Sequence, residues 1–248
     1  MDWKEKPLMT YFLIGLLVLV FVYELYLNYV DPSLLVKFLE NYGFSLNGLL
    51  AGRWETLITS LFLHAGTDHL ILNVLALYFF GHVVEKELGK KKFFAIYFIS
   101  GFAGHLATVF ASYLGIVSAA VPTIGASAAI FGLMGTAMIV KPLEMVFYPY
   151  LIPLPLGFAA LVYATYNVLA FLAVLVTGAP TQTAFSAHIG GLLAGVYFGL
   201  HYVDRKKEIL ALFLIIIFLA AIPYFWSVLK FLETLNYTAI FKAVLPVK

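Results

Sequence analysis

Four polar residues in an otherwise apolar chain have types and spacings that could carry out chemistry. Ser127 stands in GASAAIFG, His188 in SAHIGG, and His69 and Asn73 in HLILN. A serine hydroxyl becomes a nucleophile when a base removes its proton, and a neutral histidine can be that base. His69 and Asn73 are four residues apart, so on a helix both side chains lie on one face. This pattern predicts a Ser–His hydrolytic pair with two side-chain donors that stabilise an oxyanion.

The composition shows where such a site would lie. The chain has 248 residues, of which 63% are hydrophobic and 11% are charged. About a quarter of the residues are charged in a typical soluble domain. The sequence therefore predicts an all-α polytopic membrane protein. The net charge of +2 gives no reason to expect a nucleic-acid partner, and the absence of cysteine excludes disulfides and thiol catalysis.

Apolar runs predict seven membrane-spanning helices. The first run is too long for the apolar core of a signal peptide and precedes no small-residue cleavage site, so we interpret it as an uncleaved span. A long connection, 29–67, carries two amphipathic stretches and is expected to lie partly in the membrane interface. The predicted spans are about 8–28, 68–86, 92–113, 125–140, 154–177, 184–203 and 208–230.

The distribution of Lys and Arg predicts the orientation. Basic residues mark the cytoplasmic side of membrane proteins. The opposite side has only Lys37 and Arg53 in its loops, and further lysines follow the last span. This asymmetry predicts a cytoplasmic N-terminus and an external C-terminus. The basic residues on the predicted cytoplasmic side are Lys4, Lys6, Lys86, Lys90, Lys91, Lys92, Lys141, Arg205, Lys206 and Lys207.

With this orientation, the second, fourth and sixth spans all begin at the external face. The second span carries His69 and Asn73, the fourth carries Ser127, and the sixth carries His188. All four residues are therefore predicted to lie at a similar depth in the membrane. Small residues at four-residue spacing in the sixth span, and several in the fourth, predict close approach of these two helices. Neither span contains an acidic residue, so a Ser–His dyad is predicted rather than a triad. Phe131, four residues after Ser127, is expected to pack on the imidazole of His188.

At these residues the sequence resembles the rhomboid family of intramembrane serine proteases, over about residues 50–202. GASAAIFGL is similar to the family's GxSx motif, AHIGGLLAG to its AHxxGxxxG motif, and HLILN to its HxxxN motif. The upstream His64 and the stretch GHVVEKELG with Glu85 also resemble the family. Two departures are the Glu55 that follows Trp54, where the family often has Arg, and the Ala128 after the serine.

The resemblance implies a six-helix catalytic core, 1–203, and a seventh span with its tail, 204–248. It assigns the nucleophile to Ser127, the base to His188, and the oxyanion role to His69 and Asn73. It implies cleavage of single-span membrane proteins near the external face, in the plasma membrane, without a cofactor or a metal ion. The fifth span and the loop 177–184 are then the gate and cap through which a substrate helix enters. The bilayer and transmembrane substrates are the implied partners.

Two alternatives use the same polar residues. His64, His69 and His188 could hold Zn²⁺ with an open fourth position, although no HExxH pattern and no well-placed carboxylate accompany them. A transporter or a non-proteolytic membrane-protein binder could use the cluster as a binding site. Transporters usually carry internal repeats and a site at mid-membrane. The sequence has no repeat, and its cluster lies near one face.

Overall fold

A computed structural model of the chain describes residues 6–146, 154–177 and 184–234. The first helices are α1 (Leu8–Val30), α2 (Pro32–Tyr42), α3 (Leu46–Leu50) and α4 (Thr56–Thr59), which continues as a 3₁₀ turn, Ser60–Phe62. Next comes one helical rod made of α5 (Thr67–Ala76), a π turn (Leu77–Gly81) and α6 (His82–Leu88). The remaining helices are α7 (Lys90–Tyr113), α8 (Ser127–Val140), α9 (Leu156–Thr177), α10 (Phe185–Tyr202) and α11 (Arg205–Thr234).

A helix covers most of each of the seven predicted spans within the described residues. Four helical segments there are long and apolar enough to cross a bilayer: Leu8–Val30, Thr67–Leu88, Lys90–Tyr113 and Leu156–Thr177. The apolar helix α8 is shorter. The chain is therefore an integral membrane protein, whereas the six-plus-one arrangement stays a prediction. Two short antiparallel strands, β1 (Met145–Val146) and β2 (Leu154–Pro155), flank residues outside the described ranges.

The contacts divide the chain into two compact units, Met1–Glu208 and Ile209–Lys248. In the first unit, α8 is buried on nearly every side and packs against α10 and α7. In the second unit, the described residues continue α11 to Thr234 and include Pro223 inside the helix. The predicted division into 1–203 and 204–248 stays a prediction.

Glu85 ties the first predicted span to the second. Helix α1 has no side-chain cap of its own, so the N–H groups of its first turn need other acceptors. The buried carboxylate of Glu85 accepts hydrogen bonds from the backbone of Met9 (2.9 Å) and Thr10 (2.8 Å) and from the Thr10 hydroxyl (2.9 Å). A distant carboxylate thus caps α1 and satisfies two backbone N–H groups of its first turn.

The connection between α1 and α5 contains the helices α2, α3 and α4. Helix α2 corresponds to the first of its two amphipathic stretches. Asp31 caps α2: it accepts hydrogen bonds from the backbone N–H and the hydroxyl of Ser33, and these bonds lower the pKa of its carboxyl group. Phe44 and Thr123 exchange two backbone hydrogen bonds of 3.0 and 2.6 Å. This bridge joins the connection to the segment that precedes Ser127.

Arg53 stabilises the same connection. It lies just before Trp54, whereas the rhomboid family often has its arginine just after the tryptophan, where this chain has Glu55. Its guanidinium group donates hydrogen bonds to the carbonyl oxygens of Glu40 (2.8 Å) and Asn41 (3.4 Å), in the last turn of α2. The final carbonyl groups of a helix lack intrahelical donors, and a cation there is favourable. Arg53 thus holds the end of α2, although an Arg is absent from the position after the tryptophan.

Candidate active site

Ser127 is the first residue of α8, and the turn before it is shaped by a glycine. Gly125 has φ +118°, which side-chain-bearing residues rarely adopt, and its N–H donates to the carbonyl oxygen of Ser60 at 2.8 Å. A Cβ atom on Gly125 would lie 2.8 Å from two atoms of the His69 ring. The missing side chain therefore lets this ring lie against the turn that presents Ser127.

His188 lies in the first turn of α10, and its Nε2 atom is 2.8 Å from the Ser127 Oγ atom. Two different helices therefore bring these side chains together at their amino-terminal ends. The imidazole ring stacks on Phe131, as the spacing from Ser127 suggested, with centroids 4.4 Å apart and planes 10° apart. Tyr163 of α9 stacks on the Phe131 ring, with the two ring centroids 5.3 Å apart. Aromatic packing thus restrains the tilt of the imidazole.

His69 and Asn73 lie on one face of α5, as their spacing predicted. The Asn73 amide nitrogen donates to the backbone carbonyl oxygen of His69 at 2.8 Å. The Nδ1 atom of His69 accepts a hydrogen bond of 3.4 Å from the Ala65 backbone. Both side chains line the same cavity as Ser127 and His188. The structure therefore brings together all four residues singled out by the sequence.

This cavity has a volume of about 610 Å³. Helices α5, α8 and α10 contribute the polar residues His69, Asn73, Ser127 and His188, and many of the other lining residues are apolar. The segment before Ser127 contributes residues such as Val117 and Val121, and α9 contributes Val174. A space of this size and character suits an apolar chain with a few polar groups at its reactive part. Residues 178–183 of the predicted cap lie outside the described residues.

His64 occupies a different environment from the other site residues. It is buried, and its backbone N–H donates to the buried Glu24 carboxylate of α1 at 3.0 Å. Its ring lies 5.0 Å from that of His69, and its Nδ1 atom is 3.2 Å from the carbonyl oxygen of Phe62. Across residues 6–146, 154–177 and 184–234, no three His, Asp or Glu side chains form a group that could hold a metal ion. The zinc alternative therefore gains no support from this geometry.

Asn167 is a site residue that the sequence argument overlooked. It lies on α9, is buried, and places its Oδ1 atom 2.6 Å from the Nδ1 atom of His188. A carboxamide inside the apolar stretch 154–177 was a signal, because buried polar side chains in membrane helices usually need a partner. A carboxylate is the usual third member of a triad, and this position holds an amide instead.

Comparison with known proteins agrees with these features. The sequence profile of the Rhomboid domain matches residues 51–205. The chain is 38% identical to "Rhomboid protease GluP" of Bacillus subtilis (strain 168) over 138 residues, which are 54% of this chain and 25% of that protein. It is 31% identical to "Rhomboid protease AarA" of Providencia stuartii over 164 residues, 62% of this chain and 58% of that protein.

A third relative, "Putative rhomboid protease YdcA" of Bacillus subtilis (strain 168), is 40% identical over 93 residues, 38% of this chain and 44% of that protein. The chain thus spans between a quarter and somewhat more than half of the length of these curated relatives. The matched Rhomboid domain covers more than half of this chain and contains Ser127, His188, His69 and Asn73. Because the Rhomboid domain matches more than half of the chain, the chain belongs to the rhomboid family.

Proposed function

We propose that this protein is an intramembrane serine endopeptidase that cleaves single-span transmembrane proteins near the external membrane face. The observation that carries the proposal is the 2.8 Å contact between Ser127 Oγ and His188 Nε2 at the edge of the cavity. A nucleophile and a base within hydrogen-bond reach, beside a space for a peptide, are the minimum for acyl transfer. Family membership and the names of the relatives support the same activity.

In the proposed reaction, His188 Nε2 takes the proton of the Ser127 hydroxyl as its oxygen attacks the scissile carbonyl carbon. The carbonyl oxygen becomes an oxyanion, which needs donors already in place. The Ser127 backbone N–H at the start of α8 is one such donor, because first-turn N–H groups have no intrahelical acceptor. His69 and Asn73 are the proposed side-chain donors.

The tetrahedral intermediate then collapses. His188 gives its proton to the leaving amine, and an acyl group remains on Ser127. A water molecule then attacks this ester as His188 takes its proton, and His188 returns a proton to the Ser127 oxygen as the ester bond breaks. Each step uses one proton that moves between His188 Nε2 and an atom at the reaction centre. The proposed reaction therefore uses side chains and a backbone N–H group of this chain together with one water molecule.

The test is cleavage by the purified protein in liposomes, with a panel of single-span substrates and mass determination of the products. We expect cuts near the external ends of the substrate helices. Ser127→Ala, His188→Ala and the double variant should fall to a similar floor, because residues that act as one unit are strongly non-additive. Ser112→Ala is the matched control, since the hydroxyl of this serine of α7 has no hydrogen-bond partner among the described residues and does not line the cavity.

A fluorophosphonate reagent provides a second readout that needs no substrate. It should label Ser127 in the wild-type protein and should fail to label the His188→Ala variant. Substantial cleavage by Ser127→Ala would remove this serine as the nucleophile. A folded wild-type protein that neither cleaves nor becomes labelled would favour a binding or transport role for the polar cluster.

A further inference from the structure

We propose that Asn167 is a positioning residue that fixes the tautomer and the ring orientation of His188; this rests on the proposed function. Its Oδ1 atom lies 2.6 Å from His188 Nδ1. Asn167 is 3% exposed and His188 is 8% exposed, so water competes little for this contact. Acting through His188, Asn167 would occupy the place that a carboxylate takes in a catalytic triad.

The orientation of the Asn167 amide follows from its second hydrogen bond. Its Nδ2 atom donates to the backbone carbonyl oxygen of Tyr163, one turn earlier in α9, at 2.9 Å. A flipped amide would place two oxygen atoms, both acceptors, against each other at this distance. The nitrogen therefore faces Tyr163, and the oxygen faces the imidazole of His188.

The amide orientation determines which ring nitrogen carries the proton. A carboxamide oxygen can only accept a hydrogen bond, so His188 Nδ1 must be the donor. In a neutral imidazole the other nitrogen, Nε2, then has the free electron pair. Nε2 is the atom that lies 2.8 Å from Ser127 Oγ. The Asn167 contact thus selects the tautomer that can accept the serine proton.

The opposite tautomer is unfavourable in this site. It would place the unprotonated Nδ1 atom against the Asn167 oxygen, so that two acceptors would face each other in a buried place. It would also direct an N–H group at Ser127, and His188 could not act as a base. The stack on Phe131 restrains the ring's tilt, but it does not distinguish the two nitrogens. The contact with Asn167 distinguishes them, because its oxygen can only accept a hydrogen bond from Nδ1.

The contact also persists during the proposed reaction. When Nε2 takes the serine proton, Nδ1 keeps its hydrogen and continues to donate to the Asn167 oxygen. A neutral amide holds the imidazolium ring in place without adding a second charge to a buried site, where unpaired charges are costly. An amide in this role explains how His188 can be oriented although the spans that carry Ser127 and His188 contain no acidic residue.

The experiment compares Asn167→Leu, which removes the acceptor at similar size, with Asn167→Asp, which keeps an acceptor oxygen. Thr165→Val is the matched control, because Thr165 is buried on the same helix and its hydroxyl donates to the Leu161 carbonyl oxygen at 2.7 Å. The readouts are the rate of Ser127 labelling by a fluorophosphonate, and kcat and KM for a transmembrane substrate. Thermal unfolding shows whether each variant is folded.

We expect Asn167→Leu to lower both the labelling rate and kcat by about 10- to 100-fold, with KM near the wild-type value. Asn167→Asp should be clearly faster than Asn167→Leu, and Thr165→Val should match the wild type. A merely structural role would lower stability without this rescue by an acceptor. Wild-type rates in folded Asn167→Leu, or equal losses in the Leu and Asp variants, would overturn the proposal for Asn167.

A measurement on the unaltered protein decides the point even where a variant fails to fold. ¹⁵N NMR of histidine-labelled protein, with His188 assigned by its loss in His188→Ala, reports which ring nitrogen is protonated. We expect a protonated Nδ1 and an unprotonated Nε2. A proton on Nε2 of the neutral ring would overturn the inference. A wild-type protein without labelling or cleavage would instead contradict the proposed function, so the two failures are distinguishable.

Discussion

The backbone of Gly195 in α10 lies directly against that of Gly132 in α8. A Cβ atom on Gly195 would overlap the Gly132 carbonyl oxygen, and one on Gly191 would overlap the carbonyl oxygen of Ala128. The Thr136 hydroxyl joins the helices, since it lies 2.9 Å from the Gly195 carbonyl oxygen and 3.0 Å from that of Gly132. This close approach sets the separation of the two helix ends that carry Ser127 and His188.

The first prediction follows from this contact. Gly195→Ala should lower the unfolding free energy by about 1–3 kcal/mol, because the added methyl group must push two helix backbones apart. Cleavage should fall as well, since Ser127 and His188 move apart. Thermal unfolding and kcat are the measurements. Gly15→Ala in α1 is the control, as nothing lies within 4 Å of its added Cβ atom. Equal behaviour of the two variants would contradict the prediction.

The meeting of α8 and α10 could be anticipated from the sequence because its signals are local. Glycines at four-residue spacing form one stripe on a helix, and His188 lies three residues before Gly191 on that stripe. Phe131 follows Ser127 by one helical turn, so its stack with His188 could also be predicted from the sequence. Helical periodicity carries this information without any knowledge of the tertiary structure.

The contacts of Asn167 and Glu24 could not be anticipated in the same way. Asn167 meets His188 across 21 positions of sequence, and Glu24 meets the His64 backbone across 40. No periodicity links such pairs; they depend on how α9 and α1 rotate about their own axes. That rotation is set by packing against neighbouring helices, which a single sequence does not specify.

The second prediction concerns Arg53 and the end of α2. Arg53→Gln should destabilise the connection between α1 and α5 by about 1 kcal/mol, because the last-turn carbonyl groups of Glu40 and Asn41 lose a charged donor. Faster proteolysis within residues 43–53 would report the loosening. Arg53→Lys should restore only part of the effect, since an ammonium group lacks the planar fork of donors.

Lys37→Gln is the control for this comparison, since it removes the same charge from the exposed side of α2. Its proteolysis rate should stay near that of the wild type. If Lys37→Gln loosened the connection as much as Arg53→Gln, then overall charge rather than the two carbonyl contacts would be responsible.

The third prediction tests the orientation from the asymmetry of Lys and Arg. The chain has no cysteine, so a single introduced thiol is a unique label. A membrane-impermeant maleimide should modify Ala120→Cys in intact cells, and Lys91→Cys only after permeabilisation, because basic loops stay in the cytoplasm. Both positions are exposed. The unmodified chain is the control, and labelling of Lys91→Cys in intact cells would reverse the proposed orientation.

The last prediction asks whether His69 and Asn73 are oxyanion donors or metal ligands. Donors to an oxyanion act mainly in the transition state, so truncation should lower kcat more than it raises KM. Loss of one donor can cost on the order of 10²–10³ in kcat. We expect a smaller loss for Asn73→Ala, because His69 and the Ser127 backbone N–H remain. Steady-state kinetics with a transmembrane substrate measures the split.

Asp68→Asn is the control for these variants, since Asp68 is an exposed polar residue of the same helix and does not line the cavity. Its kinetics should match the wild type. A metal site predicts a different result, because a chelator removes the ion that His69 would hold. Full cleavage in excess EDTA supports the donor role. Cleavage that EDTA abolishes and added Zn²⁺ restores would contradict both the donor role and the Ser127–His188 dyad.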